Sequence, residues 1–207
     1  MNNTQDLKQV LQKKQEILQG NAERVAKQRA QGKLTARERV AKLVDQGSFV
    51  EMDVLVSEKD GGAGVVTGYG TVQDRPVYLF AQDFTVHGGA MGRAQAKKIL
   101  KVLDLAQKTG APVVAMCDSN GVDEGAAAMN AYAEVFAKMT RLSGVCPMIA
   151  LVLGPCAGGA AMISQIADVS ILAEKVGQLM VYGPQVMSAV NGETLTGETL
   201  GGAKTMA

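Results

Sequence analysis

Tryptophan is absent and histidine occurs once, at position 87. A Ser-His-Asp triad would therefore need His87 itself, and no G-x-S-x-G turn accompanies it. Cys117, Cys146 and Cys156 are odd in number, lie in or beside apolar runs, and lack C-x-x-C spacing. That argues against a zinc or dithiol redox site and for reduced core thiols, and no metal is expected. No apolar run reaches the roughly 18 residues of a membrane span, and the start, Met1-Asn2-Asn3-Thr4-Gln5-Asp6, is polar. The expectation is a cytoplasmic protein. A dominant charge is missing too: 21 basic and 20 acidic residues leave a net +1, so no global field points to nucleic acid.

What the chain does have is apolar mass, glycine and methionine: 47% hydrophobic residues, 24 Gly and 11 Met in 207 residues. That is enough to bury a real core. The methionines either fill that core or line a pocket for a flexible acyl chain. Residues 5–31 carry Leu7, Val10, Leu11, Ile17, Leu18 and Val25 at roughly helical spacing, predicting an amphipathic helix broken at Gly20. Thr35-Ala36-Arg37-Glu38 has the form of a capping box, starting a short helix that runs to about Asp45 and ends at Gly47. A strand is expected within 49–56, and runs 65–72 and 76–82 flank Gln73-Asp74-Arg75 as a hairpin. A helix at 93–108 is closed by Gly110 with Pro112 beyond. Strand, helix, strand, helix then follow at 113–117, 124–142, 148–153 and 160–167, with further strands at 169–172 and 179–182. Short apolar strands alternating with helices argue an α/β fold covered on both faces, and the hairpin makes the sheet mixed. The tail, 191–207, is polar and Gly-rich and predicts no apolar element, as though the chain stops in mid-domain.

Gly154-Pro155-Cys156-Ala157-Gly158-Gly159-Ala160 stands between the apolar run 148–153 and a helix. A strand that ends in adjacent glycines and re-enters a helix leaves backbone N–H groups directed at one spot, which stabilises an anion. Paired glycines also serve to let a helix pack close to a sheet. Two familiar phosphate sites fail. Gly62 to Gly68 is one residue too long for the dinucleotide fingerprint and opens a strand, and Ala203 interrupts the phosphate-loop pattern between Gly202 and Lys204. His87 is expected at a strand end. Asp118, Asp123 and Glu124 surround the turn Ser119-Asn120-Gly121, which faces the same sheet edge as Gly158-Gly159 if the two strands are parallel neighbours. One of these carboxylates would serve either as a base or as a helix cap. The remaining chemistry uses backbone donors. Thioester enolates are such a case, because preorganised N–H groups must hold the enolate oxygen.

Six blocks in order carry a resemblance. They are Lys33-Leu34-Thr35-Ala36-Arg37-Glu38-Arg39-Val40, Gly47-Ser48-Phe49-Val50-Glu51, Gly64-Val65-Val66-Thr67-Gly68-Tyr69-Gly70, Ala81-Gln82-Asp83-Phe84-Thr85-Val86, the Gly154 to Ala160 stretch and Gly201-Gly202-Ala203-Lys204-Thr205. Together they resemble the carboxyltransferase subunit of biotin-dependent acyl-CoA carboxylases of the propionyl-CoA or methylmalonyl-CoA type. The resemblance implies a crotonase-like α/β spiral of ββα units. It divides the chain into an N-terminal helical extension, 1–46, and a carboxyltransferase N-terminal domain, 47–207, incomplete at its C-terminus. The implied reaction moves carboxylate between carboxybiotin and the α-carbon of a short acyl-CoA, with no side-chain base. By resemblance Gly158 and Gly159 hold the thioester enolate oxygen, and Gly88, Gly89, Ser119, Asn120, Gly121 and Ala157 line the acyl-CoA site. The implied cofactor is biotin on a biotin carboxyl carrier protein. The other implied partners are a biotin carboxylase subunit, a C-terminal carboxyltransferase half and further copies in a homo-oligomer. The chain departs from the family pattern in four places: a shorter segment before Gly64, His87 in place of an aromatic, Met206 in place of a histidine, and Asp118 to Gly125, two residues shorter and without an arginine. Three other readings stay open: a biotin-dependent decarboxylase component, a hydratase or isomerase acting through Glu124, and a non-catalytic assembly subunit.

Overall fold

The computed structural model describes residues 3–57, 61–123 and 125–207. Helices α1 (Asn3–Gln19) and α2 (Ala22–Ala30) break at Gly20, and α3 (Ala36–Leu43) follows. The sheet then begins with β1 (Val50–Met52), β2 (Val65–Val72) and β3 (Arg75–Gln82). After a 3₁₀ turn at His87–Gly89 come α4 (Arg93–Thr109), β4 (Val113–Ser119), α5 (Ala126–Leu142), β5 (Met148–Ala157), α6 (Gly159–Ile166), β6 (Val169–Leu172) and β7 (Gln178–Met180). The strands run in the order β1-β2-β3-β4-β5-β6, with β7 also on β5. The first three are antiparallel and the rest parallel, the mixed sheet that the hairpin predicted.

The hairpin closes through Gln73 (φ 51°) and Asp74 (φ 64°), both in the left-handed region. A two-residue turn of that kind matches the twist of the paired strands. Asp45 makes it affordable for non-glycine residues: its carboxylate accepts from Gln73 N (3.0 Å), Asp74 N (2.9 Å) and Thr71 Oγ1 (2.6 Å). The capping box at α3 is present as expected, with Thr35 Oγ1 accepting from Glu38 N and Glu38 Oε2 accepting from Thr35 N.

Period-two alternation divides the core into two layers. Val113, Ala115 and Cys117 face α4 and α5, where they meet Ile99, Leu103, Tyr132, Val135 and Met139. Val114 and Met116 face the other way, with Leu79 and Ala81, onto Ala36, Val40 and Val44 at α3. Burying valines such as Val40 and Val44 stabilises this face by about 1.5–3 kcal/mol each. Thus β4 is covered on both sides along its whole length. The three cysteines are free and buried.

One expectation needs correction. Strand β5 does not stop at Leu153; it continues through Pro155 to Ala157, pairing with β6 in its first half and with β7 in its second. Gly154 serves close approach instead of a turn, because a methyl group there would overlap the carboxylate of Asp118. Beyond 182, where the sequence pattern assigns no element, the chain forms α7 (Pro184–Asn191) and the short polar helices α8 (Gly197–Gly201) and α9 (Ala203–Met206). Pro184 opens α7 and Thr196 caps α8 by accepting from Thr199 N. Among the described residues no helix is long and apolar enough to cross a membrane, and no group of three or more His, Cys, Asp or Glu could hold a metal ion.

Candidate thioester site at the ends of the parallel strands

Because β3, β4 and β5 are parallel, the chain leaves all three at one edge of the sheet. After β3 it makes the turn 87–91, after β4 the turn 119–122, and after β5 it enters α6. Backbone hydrogen bonds join the first two: Asn120 N donates to Gly88 O (3.0 Å), Met91 N to Gly121 O (2.9 Å) and Asp123 N to Met91 O (3.2 Å). Ser119 Oγ accepts from Gly121 N (3.1 Å), fixing the second turn from within. An added Cβ on Gly121 would lie 3.2 Å from Ala157 O, and one on Gly159 would lie 2.9 Å from Val122 Cγ2 and 3.8 Å from Met91 Cε. Six of the expected site residues, Gly88, Gly89, Ser119, Asn120, Gly121 and Ala157, thus fall in one cluster with Gly159.

Peptide planes decide which N–H groups remain open, since the C=O and N–H of a trans peptide point in opposite directions. His87 O accepts from Ala90 N, so the N–H of Gly88 points out of its turn. Gly158 O accepts from Ala161 N, so the N–H of Gly159 points out of the N-terminus of α6. Among the described residues nothing accepts from either of them. The helix dipole adds partial positive charge at Gly159. Gly158 behaves differently from expectation: its own N–H donates to Met180 O at 3.0 Å, the bond that continues the β5–β7 ladder. With φ 56° and ψ −124°, Gly158 is the residue that swings the chain from strand to helix, a backbone state only glycine adopts freely. The open donors are therefore Gly88 and Gly159.

Asp118, one of the expected carboxylates, does not face this cluster. Its side chain is wholly buried under the sheet, where it accepts from Lys33 Nζ (3.0 and 3.2 Å) and Arg39 Nη2 (2.7 Å). Arg39 Nη2 also donates to Leu153 O (2.9 Å), and Lys33 Nζ sits 4.1 Å from the centre of the Phe84 ring. Burial pushes Asp118 above the usual carboxylate range, against the pull of Arg39 and Lys33, and pulls Lys33 below the usual lysine range, against Asp118. This triad anchors the N-terminal segment to the strand that leads into the 119–122 turn. Asp118 is thereby unavailable as a base. Glu124, the residue on which the hydratase reading depends, lies outside the described residues.

Two hollows flank the donors. A cleft of about 330 Å³ is bordered by Arg24, Lys27 and Gln28 of α2 and by His87, Gly88 and Asn120. His87 is exposed there, on a 3₁₀ turn with φ 48° and not at the end of the strand. Gln28 is buried, donates from Nε2 to Leu34 O (2.8 Å), and has no partner for Oε1 among the described residues. On the far side of α6 an apolar hollow of about 440 Å³ is lined by Leu179, Met180, Val181, Tyr182, Met187 and Met206.

The carboxyl transferase domain family matches residues 27–207 of this sequence. The chain belongs to that family. This carboxyl transferase domain is 47% identical over 211 residues to methylmalonyl-CoA decarboxylase subunit alpha of Propionigenium modestum, covering 95% of the chain and 41% of that relative. It is 46% identical over 198 residues to the propionyl-CoA carboxylase beta chain of Saccharopolyspora erythraea, covering 90% of the chain and 36% of the relative. The transcarboxylase 12S structure, a hexamer assembly with methylmalonyl-coenzyme A and methylmalonic acid bound, superposes with a TM-score of 0.90 at 38% identity, covering 99% of this chain and 42% of that one. The chain thus spans about two fifths of the length of these relatives. The fold is the crotonase-like α/β architecture that the resemblance implied.

Lys33, Arg39 and Gln82 stand in the blocks that carry the resemblance but were given no role from sequence, and the buried Gln95 and Tyr132 beneath the site were not named at all. A signal existed for Arg39, a charge beside Val40 on the stripe that Ala36 opens.

Proposed function

We propose that this domain is the acyl-CoA half of a biotin-dependent carboxyltransferase, moving carboxylate between carboxybiotin and the α-carbon of a short acyl-CoA such as propionyl-CoA. The carrying observation is the pair of open N–H groups at one sheet edge, Gly88 on a turn hydrogen-bonded to the 119–122 turn and Gly159 at the N-terminus of α6, packed against Val122 and Met91. Donors aimed at a thioester oxygen stabilise the enolate that forms when the α-proton leaves, and one such donor is worth roughly 10²–10³ in rate. Asp118, one of the carboxylates considered as a base, is committed to Lys33 and Arg39 under the sheet. By the family resemblance, carboxybiotin carried on a partner would supply both the carboxyl group and the proton acceptor, so this chain's own residues need only hold the thioester oxygen. The chain's own work is to bind the thioester, polarise it and exclude other bases. Arg24 and Lys27 at the cleft suit the phosphates of CoA.

Biotin carboxyl carrier protein, a biotin carboxylase subunit, a second carboxyltransferase half and further copies of the chain are the partners this reading calls for. The similarity to a methylmalonyl-CoA decarboxylase subunit favours a second reading, in which the same site passes carboxylate from the acyl-CoA to biotin. The partners would set that direction.

The test is calorimetric titration of propionyl-CoA, with free CoA, acetyl-CoA and butyryl-CoA as comparisons. Saturable binding that depends on the acyl group is expected, and Gly159→Val should erase that dependence while free CoA still binds. A cooperatively folded protein that binds none of them would sink the reading and favour an assembly subunit.

A further inference from the structure

Beneath the donor turn lies a hydrogen-bonded network in the middle of the apolar core. Gln82 and Gln95 are completely buried and Tyr132 nearly so. The network has one direction. Asp118 N donates to Gln82 Oε1 (3.2 Å), Gln82 Nε2 donates to Gln95 Oε1 (3.2 Å), and the Tyr132 hydroxyl donates to that same oxygen. Gln95 Nε2 then faces Gly64 O (3.0 Å), Ala90 O (3.2 Å) and Gly89 O (3.4 Å). Burial raises the Tyr132 hydroxyl well above its ordinary range, so it stays a donor. With Oε1 occupied by two donors, the Gln95 amide has only one orientation, and its N–H groups grip the turn from below.

The peptide joining Ala90 to Met91 is held at both ends, its C=O by Gln95 and its N–H by Gly121 O. The neighbouring peptide that carries Gly89 O faces the same amide. Two residues earlier is the N–H of Gly88. Simple core packing would be met by an apolar side chain of equal size, whereas three polar side chains buried together raise the cost of every unmade bond. We propose that Gln95, oriented by Tyr132 and Gln82, is the positioning residue that sets the Gly88 N–H as a preformed oxyanion donor. This role rests on the acyl-CoA reading above.

The experiment uses propionyl-CoA labelled with ¹³C at the thioester carbonyl, bound to the full chain, and reads the carbonyl stretch by isotope-edited infrared difference spectroscopy. Tyr132→Phe keeps the ring and removes one donor to Gln95. Gln95→Met keeps the volume and removes the grip. The wild-type carbonyl should shift to lower frequency on binding. In Tyr132→Phe part of that shift should be lost, with free CoA bound as before, and the preference for propionyl-CoA over CoA should fall by about tenfold in Gln95→Met. Hydrogen exchange at amides 88–91 should accelerate in both variants without a matching change in β4. A full shift retained in both folded variants overturns the positioning role alone. A wild-type protein whose bound thioester shows no shift overturns the oxyanion reading and this role with it. Should Gln95→Met fail to fold, Tyr132→Phe decides by the same measurements.

Discussion

Two cations share one carboxylate under the sheet, so the members of the Lys33–Arg39–Asp118 triad should differ sharply in what their loss costs. All three side chains are almost wholly buried, with 5%, 5% and 0% exposure. Asp118→Asn leaves the Lys33 ammonium and the Arg39 guanidinium in the core with no counter-charge, and stranding a buried charge costs about 3–5 kcal/mol. For a chain of this length that corresponds to roughly 6–20 °C in Tm. Lys33→Met is a different perturbation, because Asp118 keeps its 2.7 Å bond to Arg39 and becomes a neutral one-to-one pair. What it loses is the ammonium–Phe84 contact and the two charge-assisted contacts to Asp118, partly offset by relief of lysine desolvation, for a net loss of about 1–2 kcal/mol. The assay is equilibrium urea denaturation of both variants beside wild type at pH 7, followed by circular dichroism and by thermal melts. The reasoning is refuted if Lys33→Met costs as much as Asp118→Asn.

Burial pulls Lys98 down to about 8, with its Nζ donating to Val65 O at 2.9 Å. The unfolded chain holds this proton to a higher pH than the folded one, so wild type should gain stability, by about 3 kcal/mol, between pH 8 and 10.4 relative to Lys98→Met. Parallel stability curves for the two proteins would refute it. Hydrogen bonds from Thr71, Asp74 and Gln73 hold Asp45 below the ordinary carboxylate range. The stability it contributes is present above pH 4 and lost as pH falls through its folded value, so the penalty of Asp45→Asn should fade in acid. Thr35→Ala removes the α3 cap and should cost about 1 kcal/mol in denaturant midpoint measurements, with acyl-CoA affinity unchanged.

The parallel strands were legible because each is a short apolar run bounded by glycine, proline or a helical pattern. The hairpin was legible from its turn, and the approach of 119–121 to 158–159 from their places at the ends of neighbouring parallel strands, whereas Gly88 and Gly89 were joined to them only by the family resemblance. The end of β5 was not, because Gly154-Pro155 reads as a turn in isolation. Only Asp118, a neighbour across the sheet, reveals that Gly154 is small to admit a carboxylate. The N–H of Gly158 was misassigned for a related reason. Residue type indicates that a glycine can expose its amide, but the direction of the peptide is set by Met180 on β7, far along the chain. Gln95 lay in plain view on the buried stripe of α4 with Ile99, Val102 and Ala106, and a polar residue at such a position is a cue for a network.

The shortened loop after β4 bears on how much of the site survives the chain's departures from its family. The contacts that join 119–122 to 87–91 are nearly all main-chain: Asn120 N to Gly88 O, Met91 N to Gly121 O, Asp123 N to Met91 O. Bonds of this kind depend on the path of the backbone and not on the side chains that vary, so removing residues beyond Gly121 leaves the donor turn braced. What changes is the surface offered to a ligand. The Asn120 amide lies over Gly88, with Nδ2 just 2.5 Å from where a Cβ on Gly88 would stand. The same main-chain frame that carries the open Gly88 N–H therefore presents a polar amide at the mouth of the cleft, so on the proposed acyl-CoA reading Asn120→Ala should change which acyl group is preferred, measured by calorimetric titration, and leave free-CoA binding in place.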